Sequence, residues 1–163
     1  MVKNELSLCV YGVLVSEKNR SKKNYQFKDK HGSLSVVNCG NILRVNLNGA
    51  CGAKLTTFYI ETLKEIAPKF GQQKWGLLFN SKEYQAATPE AEELFHEFCL
   101  LCIELGCRCE SYCLGSPLAI SQIRKMRIRY GNKIPLENVI FDTEADAEAY
   151  LLGSLEKLAV KTP

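Results

Sequence analysis

Apolar and polar positions alternate along residues 33–38 and 42–48, on either side of Cys39-Gly40-Asn41. In the second stretch Leu43, Val45 and Leu47 alternate with Arg44 and Asn46. A period of two with glycine and asparagine between the runs predicts a β-hairpin with one face on a core. After Gly49 and Gly52 the period changes. Leu55, Phe58, Tyr59, Leu63 and Ile66 form a helical stripe over residues 54–67, which Pro68 and Gly71 end. Residues 75–79, Trp-Gly-Leu-Leu-Phe, are apolar without alternation, as in a strand covered on both faces.

In the second half three more helices follow, with two strands between them. Thr88-Pro89 and Ser116-Pro117 each place a capping side chain before a proline, a good helix start. Glu90, Glu92 and Glu93 follow the first of them, where the helix dipole favours negative charge. That helix buries Leu94, Phe95, Phe98, Leu101, Cys102 and Leu105 and closes at Gly106; the other runs to about Tyr130. Between them residues 107–114 read as a strand, and residues 131–136 as a loop. Residues 139–141 read as a short strand. A last helix, capped by Asp142 or Thr143, carries Ala145, Ala149, Tyr150, Leu152 and Leu155. The expected fold is α/β: a mixed, mostly parallel sheet of four to five strands that starts with an antiparallel hairpin, with helices packed on the sheet.

At 163 residues the chain holds one domain with a real core, and 46% hydrophobic with 24% charged residues is ordinary for a globular protein. The net charge of +3 does not call for nucleic acid. Its distribution is uneven: Lys18, Arg20, Lys22, Lys23, Lys28 and Lys30 face only Glu17 and Asp29 in residues 17–30. We therefore read residues 1–30 as an extension, with either an extra edge strand over residues 6–15 or a loosely held arm, and a solvated basic linker in 16–30. The domain spans residues 31–158 and a tail spans 159–163. No run approaches the roughly 20 apolar residues of a membrane span. The eight cysteines do not form the spaced pairs of a disulfide framework, which points to a reduced, cytoplasmic setting.

The element order, with Ala87-Thr88-Pro89-Glu90-Ala91 and with Ile140-Phe141-Asp142 leading into Glu144-Ala145-x-Ala147-x-Ala149-Tyr150-Leu151, resembles the STAS/SpoIIAA-like family, and more narrowly its small stand-alone bacterial members. The likeness takes in about residues 33–158. It implies no catalysis and no cofactor. Anti-sigma factor antagonists of this fold are switched by phosphorylation where the central strand's loop meets the next helix. Thr88 stands at that helix start and Ser81 earlier in the same loop, so these two are the candidate phosphosites. The family's Asp-Ser-x-Gly context is absent, and three glutamates follow Thr88. The narrower branch also resembles the CRAL-TRIO lipid-carrier fold, which implies an apolar ligand between the sheet and a movable helix.

Two further candidate sites remain. In the related folds the helix that begins at Pro117 is a lid, so the resemblance implies ligand access at Pro117, Ile120, Ile123 and Met126; on the same helix Arg124, Lys125, Arg127 and Arg129 form a basic patch for an anionic surface or partner. Five cysteines fall between Cys99 and Cys113. Cys99 and Cys102 can share a helix face, and Cys107, Cys109 and Cys113 one strand face. No familiar zinc spacing results, so core packing is the simpler role and no metal is assigned. Three functions follow. The first is a non-enzymatic regulatory module that binds a protein partner through residues 80–88 and the adjoining helix; a homodimer is compatible with it. The second is a carrier or sensor of a small apolar ligand or lipid, with peripheral membrane association. The third is a thiol or zinc protein.

Overall fold

The hairpin read from residues 33–48 forms the centre of the sheet. A computed structural model describes residues 23–160; the edge strand or arm expected over residues 6–15 lies outside them. Strand β1 (Asn24–Lys28) pairs antiparallel with β2 (Gly32–Cys39), and β2 with β3 (Ile42–Cys51). Gly40, with φ of 68°, supplies the turn between β2 and β3. Helix α1 (Ala53–Ile66) and a 3-10 turn (Ala67–Phe70) cross to β4 (Trp75–Ser81), which lies parallel to β3. Strand β5 (Tyr84–Ala87) follows at once and runs parallel to the last residues of β3. Helix α2 (Pro89–Glu104) leads to β6 (Cys107–Leu114), parallel to β4. Helix α3 (Pro117–Arg129), a 3-10 turn (Leu136–Asn138) and helix α4 (Glu144–Val160) complete the domain.

The sheet is mixed and mostly parallel, as expected, and among the described residues it has six strands where four to five were expected, in the order β1-β2-β3-β4-β6 with β5 beside β3. Two of the six were not expected. Residues 24–28 form a strand and not a solvated linker, because Tyr25 and Phe27 alternate with exposed Asn24, Gln26 and Lys28. Phe27 stacks on Phe58 of α1 at 5.3 Å between ring centroids. Residues 84–87, read as loop, form β5. Gly49 makes this possible: its φ is 75°, the register shifts beside it, and a side chain there would meet the His31 carbonyl oxygen at 2.4 Å. Residues 139–141 do not form a strand of their own. They contribute one parallel bridge, Tyr112 with Ile140.

The two faces of the sheet have different cores. On one, Leu34, Val36, Val45 and Leu47 pack with Leu55, Tyr59 and Leu63 of α1 and with Phe95 and Phe98 of α2. On the other, Ile42, Leu78 and Cys113 pack with Ala147, Leu151 and Leu155 of α4. Neighbouring Leu77 and Leu78 therefore serve opposite cores, which is why residues 75–79 show no alternation. Arg44 holds α4 to β3 through Glu144 at 2.7 Å and Glu148 at 2.8 Å.

Candidate ligand cavity

Helices α2 and α3 do not close fully against β4 and β6. Between them lies a cavity of about 330 Å³. Its sheet side carries Leu77, Phe79 and Tyr112; α2 contributes Phe95, Phe98, Cys99 and Cys102; α3 contributes Ile123 and Met126. The placement of α3 follows from its sequence. Ser116 accepts a hydrogen bond from the Ala119 N–H at 3.3 Å, Pro117 sets the first turn, and Ile123 turns inward. Gln122 then fastens α3 to β5, accepting from the Ala87 N–H at 2.8 Å and donating to the Ala87 carbonyl at 3.0 Å.

One end of the cavity is polar, and Glu110 is its centre. This carboxylate reaches the cavity face because β6 carries a bulge: the register shifts where Trp75 faces Cys107 and Gly76 faces Cys109. The skipped Arg108 changes the parity of the strand, so Glu110 and Tyr112 line the cavity, while Cys109 and Cys113 pack toward α4. Cys107, Cys109 and Cys113 consequently do not share the one face expected of them; Cys107 packs with the opposite core.

Four donors converge on Glu110. Oε1 accepts from the Arg127 guanidinium, from the Tyr130 hydroxyl at 2.7 Å and from Asn132 Nδ2 at 2.6 Å. Oε2 accepts from the Tyr112 hydroxyl at 2.7 Å. Arg127 also donates to the Ile134 carbonyl at 2.7 Å and lies over the Tyr112 ring. Burial holds the Arg127 guanidinium below its usual pKa, lifts Tyr112 far above the ordinary phenol range and pushes Tyr130 up to about 12. Both phenols therefore stay protonated and donate to the carboxylate.

The basic patch expected on α3 is not a single surface. Arg127 is 2% exposed and points into the domain. Arg124 is held by Glu137 at 2.6 Å, and Arg129 makes a two-point pair with Glu93 of α2 at 2.7 and 2.8 Å, which bridges the two helices. Lys125 is exposed on the same helix. Among the expected access residues, Ile123 and Met126 line the cavity, Ile120 is half-buried and Pro117 is exposed. The two candidate phosphosites separate sharply. Thr88 is exposed, and its hydroxyl caps α2 by accepting from the Ala91 N–H at 3.3 Å. Ser81 is 0% exposed and accepts from the Leu47 N–H at 2.9 Å, so in this fold a modifying enzyme has no access to it.

The cysteines add polarisable wall, not charge. Cys99 donates to the Met126 sulfur at 3.6 Å and Cys107 to the Cys109 carbonyl at 3.5 Å. Burial pushes the Cys99 and Cys107 thiols up to about 12 and Cys102 far above its ordinary value, the opposite of an activated thiol. Among the described residues no group of three or more His, Cys, Asp or Glu side chains is placed to hold a metal ion.

Glu110, Tyr112, Tyr130 and Asn132 were not singled out in the sequence. Two signals point to them. Glu110 is the only acidic residue in a strand with three cysteines, and its partner Arg127 follows Ile120 and Ile123 at helical spacing, on the apolar stripe. A buried arginine needs an acidic partner.

No family model and no curated protein matches the chain. Among solved structures it is similar to SLC26A9, with a TM-score of 0.53 at 9% identity, over 94% of this chain and 28% of that one. The chain thus spans less than a third of that protein's length. At this identity the likeness concerns fold alone. SLC26A9 contains a STAS domain, so the fold likeness agrees with a STAS-like arrangement. No helix among the described residues is long and apolar enough to cross a membrane.

Proposed function

We propose that the protein is a STAS-like binding module that carries or senses a small, largely apolar molecule held between the sheet and helices α2 and α3. The observation that carries this reading is the cavity itself. Its volume of about 330 Å³ lies at the lower end of the roughly 300–1,000 Å³ typical of ligand sites. It has the composition of such a site: aromatic and aliphatic walls with a few fixed polar groups at one end. Close-packed interiors contain few voids larger than a water molecule, so a space of this size between two helices is not ordinary packing.

The alternative of a contact loop over residues 80–88 has less in its favour. Ser81 is buried, residues 84–87 are a paired strand, and Gln122 occupies the Ala87 backbone groups. Native mass spectrometry of the protein isolated from its own cells under reducing conditions tests the proposal. The expected result is a non-covalent adduct of small-molecule mass, reduced by a bulky substitution such as Met126→Trp. A bare polypeptide that also fails to take up an apolar probe contradicts it.

A further inference from the structure

We infer that the cavity selects a neutral aromatic molecule of about two fused rings, with one N–H or O–H group that donates to Glu110 Oε2. This inference rests on the ligand-binding reading above and adds the chemical class. Size comes first. A cavity of about 150 Å³ in another protein holds a single benzene ring, and this one is about 330 Å³. The walls come second. Phe95, Phe79 and Tyr112 supply ring faces and edges, and Met126, Cys99 and Cys107 supply sulfur. Both favour polarisable ring systems over flexible alkyl chains.

Charge is the third argument. Glu110 is matched by Arg127 inside, and Glu93 by Arg129 between α2 and α3. The thiols stay protonated at neutral pH. A carboxylate or phosphate entering the cavity would lose its hydration and find its buried cation, Arg127, already committed, while Arg108 and Lys125, which also line it, are exposed to solvent.

The fourth argument gives the ligand its donor. Each carboxylate oxygen offers two lone-pair positions, which crowded donors can share. Oε1 already receives Arg127, Tyr130 and Asn132, whereas Oε2 receives only Tyr112. One position on Oε2 stays open, on a side chain that lines the cavity and is 16% exposed. Four donors hold the carboxylate in place before any ligand arrives, so it is preorganised to accept a fifth.

The test is an NMR titration of the full chain with four probes: 2-naphthol, 2-methoxynaphthalene, 2-naphthoate and 1-decanol, with the Met126 methyl as reporter. A hydrogen bond to a charged acceptor contributes about 1.5–3 kcal/mol, or at least about tenfold in Kd. The expected result is that 2-naphthol binds at least about tenfold more tightly than its methyl ether and than 2-naphthoate, and more tightly than 1-decanol. Equal binding of 2-naphthol and its ether, or tighter binding of 2-naphthoate or 1-decanol, overturns the assigned class and leaves the cavity as a ligand site. Binding of none of the four overturns the ligand-binding reading as well. In a Glu110→Gln variant the preference for 2-naphthol over the ether should shrink. Where that variant fails to fold, the wild-type series decides.

Discussion

Helix α3 carries two arginines three residues apart that look equivalent in sequence, and replacing each with methionine should give very different results. Arg127 is 2% exposed, bonded to Glu110 and to the Ile134 carbonyl, and stacked over Tyr112. Arg124 is largely exposed and pairs with Glu137. Methionine keeps the length and apolar stem of the side chain, so the change isolates the charge. Removing one member of a buried ion pair costs about 3–5 kcal/mol, because the other charge is left without its partner. Here Glu110 keeps three further donors and some solvent exposure. Arg127→Met should therefore fall near the lower limit, about 3 kcal/mol. With a urea m-value of about 2 kcal/mol/M, the unfolding midpoint should drop by about 1.5 M. Arg124→Met breaks an exposed pair and should cost about 0–1 kcal/mol. Urea unfolding of both variants, compared at unchanged m, is the assay. A loss below about 1 kcal/mol for Arg127→Met, or equal losses for the two, would refute the assignment of Arg127 and Glu110 as the buried polar anchor of the cavity.

Other expectations follow from the same contacts. Tyr59 is 0% exposed and its hydroxyl has no hydrogen-bond partner, so Tyr59→Phe should leave thermal stability unchanged or raise it by up to about 1 kcal/mol; a clear loss would mean the hydroxyl is bonded. Thr88→Ala removes the α2 cap and should cost about 1 kcal/mol by denaturant titration. Ser81→Asp places a charge where Leu47 N–H and a closed core allow none, and should give no folded protein by circular dichroism. The thiols set a pH limit. Cys99 and Cys107 rise from an ordinary 9.0 to about 12 in the folded state, so above pH 9 the unfolded chain releases protons that the folded one retains. Their contribution is complete below pH 9 and is lost progressively toward pH 12, which thermal unfolding of wild type against Cys99→Ala should show as a smaller alkaline decline in the variant.

The parts of the fold that rest on strong local chemistry were legible in the sequence. Thr88-Pro89 and Ser116-Pro117 begin α2 and α3 with the hydroxyl caps their letters imply. Residues 75–79 are a parallel strand between two cores, as their unbroken apolar run required. Strand β1 was hidden because its two rings, Tyr25 and Phe27, sit among Lys22, Lys23, Lys28 and Lys30, and a basic stretch reads as solvated. Strand β5 was hidden by its length of four residues and by its dependence on the shifted register at Gly49. The polar end of the cavity was least legible. Counting alternate positions from Cys107 puts Glu110 on the wrong face, because the bulge at Arg108 reverses the parity. Arg127 was grouped with its charged neighbours although its spacing from Ile123 places it on the buried stripe. The two misreadings have different causes: a bulge leaves no mark in the period of a strand, whereas the position of Arg127 was readable from its helical spacing but was outweighed by its charge.

The most direct test of the account is xenon binding followed by NMR, with the Met126 and Ile123 methyls of α3 and the Leu77 methyls of the sheet as reporters on two walls of the cavity. Xenon enters apolar space and needs no assumption about the natural ligand. The account predicts saturable shifts at these three residues and none at Leu151 or Leu155, which pack under α4 on the opposite face. Shifts absent from all three, or no larger than those under α4, would mean that α2 and α3 close on the sheet in solution and that the protein has no such site.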